Sequence, residues 1–258
     1  MQFAMRMVVM MLIVSAMTLS VIAATAGTTE TAQPTADVKK AEKTGATFDK
    51  ERAEKEGMVE FKLDLPKPVF KGTPKDMPKG LKLDKKRMLP DGKLWERPMA
   101  YVGKDVELLS AEKPVTASDK YPLIGDLEQV TDGDREGADG SFVELAWGKQ
   151  WVQIDLEEAK EIHAMVVWHY HSNARVYRDV VIQVSEDPDF VEGVTTVFNN
   201  DFDNSAGLGK GEDYEWVENY QGELITFEPI KARYARLWSN GSTEDDQNHY
   251  TEVEIYGK

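Results

Sequence analysis

No cysteine occurs in the 258 residues, so neither a disulfide framework nor a thiolate nucleophile is available. Histidine is scarce, with four residues, and no His-Glu-x-x-His helix or Gly-x-Ser-x-Gly elbow occurs. Basic residues are in the minority: 31 Lys and Arg stand against 46 Asp and Glu, for a formal charge of −15. Such a chain lacks the cations that displace counterions from nucleic-acid phosphates, and anionic membranes repel it. Internal repeats and collagen-like or mucin-like composition are absent as well. Catalysis would need a nucleophile with its base, facing carboxylates or an open metal site, and no motif supplies one.

What is present is enough apolar residue, 41%, to bury a core. Charge is divided unevenly. Residues 27–100 carry 17 Lys and Arg against 13 Asp and Glu, whereas residues 101–258 carry 13 against 33 and hold five of the six Trp. The acidic part, residues 101–258, is read as the folded domain. Residues 1–26 have a single charge, Arg6, then an apolar run from Met7 to Ile22 that closes on Ala24-Thr25-Ala26. That is the pattern of a secretory signal cleaved near Gly27, with an uncleaved anchor as the alternative. Either way the expected location is secreted, periplasmic or at the cell surface.

Residues 27–100 read as a largely extended, Pro/Lys-rich linker. Pro66, Pro68, Pro74, Pro78, Pro90 and Pro98 recur among lysines, and each removes a backbone donor and disfavours helix before it. A short charged helix capped by Asp49 and ending near Glu56 is the one expected interruption. The segment is expected to act as a basic spacer that partly wraps an acidic domain.

After residue 105 the chain turns to short β runs separated by Gly, Asn, Asp and Pro. Trp151 to Leu156 alternates, placing Val152, Ile154 and Leu156 on one face of a half-buried strand. Ala164 to His169 is continuously apolar, as for a strand covered on both sides. Val180, Ile182 and Val184 alternate again, and Arg233–Ser239 and Glu252–Tyr256 complete the set. Many short strands without helical periods between them predict an all-β antiparallel sandwich.

Six motifs occur in order: Lys113-Pro-Val-Thr-Ala-Ser118, Thr131-Asp-Gly-Asp134, Trp151-Val-Gln-Ile-Asp-Leu156, Arg178-Asp179 before Val184-Ser-Glu-Asp187, Ala232-Arg-Tyr-Ala-Arg-Leu237 and Glu252-Val-Glu-Ile-Tyr-Gly257. Together they resemble the discoidin or coagulation factor type C (F5/8 type C) domain of the galactose-binding-like superfamily. The chain is also similar to discoidin-type proteins of environmental bacteria. The resemblance implies an eight-stranded jelly-roll sandwich whose loops at one end bind ligand, often a sugar. It covers nothing before residue 100, and the Cys pair common in animal members is missing.

The resemblance also implies a structural Ca²⁺ beside the Asp-Gly-Asp loop. A hard cation takes six to eight oxygens. The family pattern assigns them to Asp132 and Asp134, a carbonyl near Gln129, a loop group such as Ser141, the Thr251 carbonyl and the Glu252 carboxylate. The alternative is that Asp132 only stabilises its own turn. A second, weaker candidate needs no family: Asp201, Asp203, Ser205 and Glu212 fall at positions 1, 3, 5 and 12 of an EF-hand-like loop. Ala206 stands where that loop needs Gly, which favours an ordinary Asn/Asp/Gly hairpin.

For the ligand, sugar recognition needs an aromatic plate and a few rigid polar groups. Relatives place an Arg or His with a nearby Asn in the loop that here contains His169, His171, Asn173 and Arg175. Asn240, His249 and Tyr250 lie in the connection before the last strand and are assigned to the same rim. Trp168 is read as core. The resulting expectation is a non-catalytic extracellular module that binds a glycan or a cell-surface or matrix component, with adhesion through protein contacts as the alternative. A metal-dependent hydrolase using His169 and His171 on one strand face is a third reading, and it lacks a third ligand.

Overall fold

The computed structural model describes residues 38–42, 49–68, 81–83, 99–173 and 175–258. The expected signal segment and Pro74, Pro78, Pro90 and Pro98 lie outside the described residues. Fourteen strands are named along the described chain. They are β1 (Lys39–Lys40), β2 (Val59–Glu60), β3 (Tyr101–Val102), β4 (Glu107–Leu108), β5 (Val115–Ala117), β6 (Val143–Leu145) and β7 (Gln150–Trp168), then β8 (Val176–Tyr177), β9 (Val181–Ser185), β10 (Thr195–Asn199), β11 (Trp216–Val217), β12 (Glu223–Ser239), β13 (Asn248–Tyr250) and β14 (Glu252–Gly257). Helix α1 (Lys50–Glu56) is capped as expected: Asp49 accepts from the Arg52 amide at 3.1 Å.

Eight strands form one sheet in the order β1-β10-β9-β12-β7-β14-β4, with β5 also on β7. Its pairs are antiparallel except β1 with β10. Two expected strands, Trp151–Leu156 and Ala164–His169, are halves of the single strand β7. The intervening Glu157–Lys160 has neither Gly nor Pro to end it, and the β7–β12 register instead shifts between Thr226 and Ile230 and between Ala232 and Tyr234. One half of the β7–β12 ribbon continues into β9 and β5, the other into β14. Val152, Ile154 and Leu156 from one half, Met165 and Val167 from the other, and Val143 and Leu145 of β6 share one core. The result is a β-sandwich.

The second half of β7 is buried on both faces, as its continuous apolar run implies. Ala164, Val166 and Trp168 face away from the main core and are covered by Ala100, Phe61 and Leu63. The indole of Trp168 donates to the Tyr220 carbonyl at 3.0 Å. Gly222, at φ +65°, lies beneath it, and a Cβ there would stand 2.7 Å from the ring.

The described parts of the stretch before residue 100 add to this body at three places. Lys39–Lys40 extends the sheet beside β10, β2 pairs with β3, and Leu81 and Leu83 pack on Val176 and Val217. The described residues accordingly fall within one compact unit. Among the described residues no helix is long and apolar enough to cross a membrane.

Candidate functional site

The loop after β7 carries four of the residues assigned to a ligand, and burial sorts them. His169 is 1% exposed. It stacks on Tyr177 at 4.2 Å between centroids and meets Trp216 at 5.0 Å and Tyr250 at 4.9 Å. Its Nδ1 lies 3.2 Å from Glu218, a buried carboxylate that also accepts from the Trp216 indole at 2.8 Å. His171 is equally buried, with Nε2 2.8 Å from the Arg135 carbonyl. It lies over Gly137 at φ +58°, where a Cβ would come within 2.6 Å of that nitrogen. Tyr250 is inside the core and donates to the Leu237 carbonyl at 3.0 Å. His169, His171 and Tyr250 therefore support the loops from beneath and do not meet a solute. Burial argues against their assignment as ligand contacts: distant strands that the local sequence does not show enclose them, although His169 Nε2 and His171 Nδ1 are left without a hydrogen-bond partner. Asn173 is exposed, and Asn240 donates to Asp179 at 2.8 Å.

Arg175 and His249 meet inside a larger cluster, both buried. Arg175 donates to Asp245 at 3.0 Å and approaches His249 Nδ1 at 3.5 Å, and its guanidinium lies 4.8 Å from the Tyr170 ring centroid. Tyr177 hydroxyl is 3.2 Å from the same Nδ1. With Nδ1 accepting, the ring proton sits on Nε2, which faces Glu144 at 3.3 Å. Burial is the main force that pushes the His249 pKa down to about 4, so the ring is neutral at physiological pH. Phe142 completes the group, 4.6 Å from Tyr170 and 5.6 Å from His249.

Phe142, Glu144, Tyr170 and Asp245 were not among the residues assigned from sequence. Glu144 joins because β13 pairs with β6 and sets His249 opposite it, a pairing across 105 positions with no local signal. Beside it runs an exposed apolar strip. Leu123 and Ile124 bond the Glu144 backbone, and Asp119 accepts from the Ala146 amide at 3.0 Å. Tyr121 is 85% exposed, Trp147 77% and Leu123 58%. A separate groove of about 410 Å³ between Leu108, Leu109 and Leu156 shares no residue with this cluster.

Of the first metal set, the structure brings the Asp132 loop to Glu252. The Gly133 amide donates to Glu252 at 3.0 Å, Asp132 accepts from the Asp134 amide at 2.8 Å and Asp134 from the Glu136 amide at 2.9 Å. Glu252 is 1% exposed, and burial above all, with Glu254 and Asp132 adding to it, pushes its pKa up to about 9. A buried carboxylate with one amide donor and acidic neighbours is the environment a cation relieves, but Asp132, Asp134 and Glu252 do not form a converging group of three among the described residues. The Gln129 side chain is engaged with the Asp126 amide and the Gly140 carbonyl, leaving its own carbonyl for that role. The Thr251 amide donates to the Trp168 carbonyl and the Ser141 amide to the Ala138 carbonyl.

The second set assembles with one exchange. Asp201 and Asp203 are joined by Asp179, one carboxylate oxygen from each lying within 4.8 Å of the others, an arrangement that could hold a metal ion. Ser205 contributes its hydroxyl to Asp179 at 2.9 Å and its amide to Asp203 at 2.9 Å. Glu212 is corrected out of the set: it is exposed and pairs with Lys40 at 2.8 Å. The EF-hand-like spacing fails because no helices flank the loop, and Ala206 gives its amide to Asp201 at 2.9 Å.

Residues 129–237 match the family model described as NedA-like, galactose-binding domain. Among solved structures, the CBM32 of AlyQ in complex with 4,5-unsaturated mannuronic acid is 22% identical, over 55% of this chain and 92% of that one, with a TM-score of 0.41. Chitosan-binding module 1 from a chitosanase/glucanase of Paenibacillus sp. IK-5 is 22% identical, over 58% and 99%, with a TM-score of 0.41. A pectin-binding carbohydrate-binding module is 21% identical, over 57% and 91%, with a TM-score of 0.41. No protein of curated function matches the chain.

Proposed function

We propose that the chain, whose residues 129–237 match the F5/F8 type C model described as NedA-like, galactose-binding domain, is a non-catalytic, extracellular carbohydrate-binding module with structural Ca²⁺. The observation that carries the reading is half-buried Glu144, Tyr170 and Asp245, held from beneath by buried Arg175 and His249, on a surface that also exposes Tyr121 and Trp147. Apolar rings beside a few fixed donors and acceptors are what a pyranose needs: C–H faces on the rings, hydroxyls on the polar groups. Fixed by packing from His169, Tyr177 and Phe142, those groups bind without ordering costs of their own. Ca²⁺ is assigned to Asp132, Asp134 and Glu252 with the Gln129 and Thr251 carbonyls, where it would neutralise the buried Glu252. Export is supported by the apolar segment ending at Ala26.

A hydrolase is not supported. His169 and His171 are tied separately, to Glu218 and to Arg135, and among the described residues only the Asp179, Asp201 and Asp203 group brings three metal-ligating side chains together. The exposed Tyr121 and Trp147 favour one other reading, adhesion to a protein partner, because Tyr and Trp are enriched where proteins meet. A glycan array probed with the full chain, with Ca²⁺ and again with chelator, decides. The expected result is binding to defined glycans that weakens in Tyr170→Ala; binding to none under either condition contradicts it and leaves the protein-partner reading.

A further inference from the structure

Where Asp or Asn precedes Gly, the unshielded glycine nitrogen can attack the side-chain carbonyl carbon of the residue before it. Such pairs occur at Asp91-Gly92, Asp132-Gly133, Asp139-Gly140 and Asn240-Gly241, and the first lies outside the described residues. The other three differ in what holds the attacking amide. Gly133 donates to Glu252 at 3.0 Å, and Gly241, which is buried, donates to Asn248 at 2.9 Å. Their side chains are tied as well: Asp132 accepts from the Asp134 amide at 2.8 Å, and Asn240 donates to Asp179 at 2.8 Å. Asp139 and Gly140 are both exposed. The Ser141 amide donates to the Ala138 carbonyl at 2.9 Å, which closes a turn with Asp139 and Gly140 at its centre and Gly140 at φ +90°. Gln129 anchors the far side of that turn through the Gly140 carbonyl, at 2.7 Å. The Asp139 carbonyl and the Gly140 amide have no hydrogen-bond partner among the described residues. The peptide plane between them therefore rotates without breaking a hydrogen bond, and glycine accepts either sign of φ. The Asp139 carboxylate meets the Tyr170 hydroxyl at 3.3 Å, and a Cβ on Gly140 would find nothing within 4 Å.

We propose that Asp139-Gly140 is a modification site, the pair among these three that forms a succinimide and then isoaspartate in the folded chain. The Gly140 nitrogen bonds to Cγ of Asp139, and one carboxyl oxygen leaves as water with the amide proton and the proton of the carboxyl group. Water then adds to either carbonyl of the ring. Opening at Cγ restores aspartate; opening at the backbone carbonyl leaves isoaspartate, whose main chain runs through the former side chain and is one methylene longer. Composition is unchanged overall, and no oxidant, metal or enzyme takes part. The carboxylate that Tyr170 meets is displaced by the change, whatever ligand this rim takes.

Incubation of the full chain at neutral pH and physiological temperature, followed by peptide mapping with electron-transfer fragmentation, reads all three pairs in one sample. Isoaspartate is expected at Asp139 at a level at least about tenfold above that at Asp132, because a held amide reacts only after local opening. Asn240 is expected to stay intact, although asparagine is intrinsically the faster of the two side chains. In urea that unfolds the chain the order should change, with Asn240 fastest and Asp132 and Asp139 alike. Asp139→Glu, which would have to close a larger ring, should leave that peptide unmodified, with circular dichroism confirming the fold. Absence of isoaspartate at Asp139, as much product at Asp132 or Asn240 in the folded chain, or an excess of Asp139 over Asp132 that is as large in urea, overturns the proposal.

Discussion

The two acidic loops use the same residue types and resolve their charge in different ways. In the Asp179, Asp201 and Asp203 group the protein supplies the donors. Asp201, fully buried, accepts the amides of Ser205 at 3.0 Å and Ala206 at 2.9 Å, and Asp179 accepts from Ser205 and Asn240. In the other loop Glu252 is as deeply buried and accepts one amide, from Gly133. A buried carboxylate must be matched by donors, by a cation or by a proton. The first loop gives Asp201 more donors than the second gives Glu252, yet burial and neighbouring Asp179 still raise the Asp201 carboxyl above its ordinary range.

That contrast can be broken by experiment. The largest effect is expected from Ca²⁺: at 100 times its dissociation constant it adds about 2.7 kcal/mol, or roughly 5–10 °C in Tm for a chain of this size. Scanning calorimetry with Ca²⁺ and with chelator reads it, and Glu252→Gln should abolish the response, whereas Asp203→Asn should leave it. Next in size, Asp201→Ala strands the amides of Ser205 and Ala206 and should cost about 1–3 kcal/mol in urea unfolding, with the Ca²⁺ response retained. Gly137→Ala, which forces a side chain against His171 at a positive φ, should cost about 1–2 kcal/mol and loosen the turn next to the Asp132 loop without touching the Asp201 loop.

The smallest effect comes from a control outside both loops. Arg233 grips Asp155 with two hydrogen bonds, at 2.6 and 2.8 Å, and holds its carboxyl below the ordinary range. A depressed carboxylate pKa gives stability that is present above the unfolded value, about 3.9, and is lost as pH falls through the lower folded value. The pair is partly open to solvent, so less than about 1 kcal/mol is expected. Comparing wild type with Asp155→Asn in acid unfolding between roughly pH 4 and pH 2 checks the sign.

Much of the sandwich could be read from the sequence because its strands carry their burial in local alternation: Val152, Ile154 and Leu156 point inward as their spacing requires, and the apolar run to Trp168 is covered on both sides. The continuity of β7 was not visible, since a bulge leaves no mark when Gly and Pro are absent. The site was half legible. Arg175 and His249 stand together, but Glu144 and Asp245 reach them through strand pairing and a return loop far along the chain. His169 reads as a ligand group for the same reason it is a core residue: it sits at the end of a buried strand, and only the distant Glu218 and Trp216 show that it is enclosed, with Nδ1 on Glu218 and Nε2 without a hydrogen-bond partner. Asp179 carries no local sign of its role, since its carboxylate joins Asp201 only after β9 and β10 pair.

Chemical-shift mapping of the full chain with a bound oligosaccharide tests the central claim most directly. The expected result is that the signals of Glu144, Tyr170, Asp245, His249 and the Trp147 indole move together and saturate at one concentration. Shifts confined to another surface, such as the groove at Leu108 and Leu156, would contradict it.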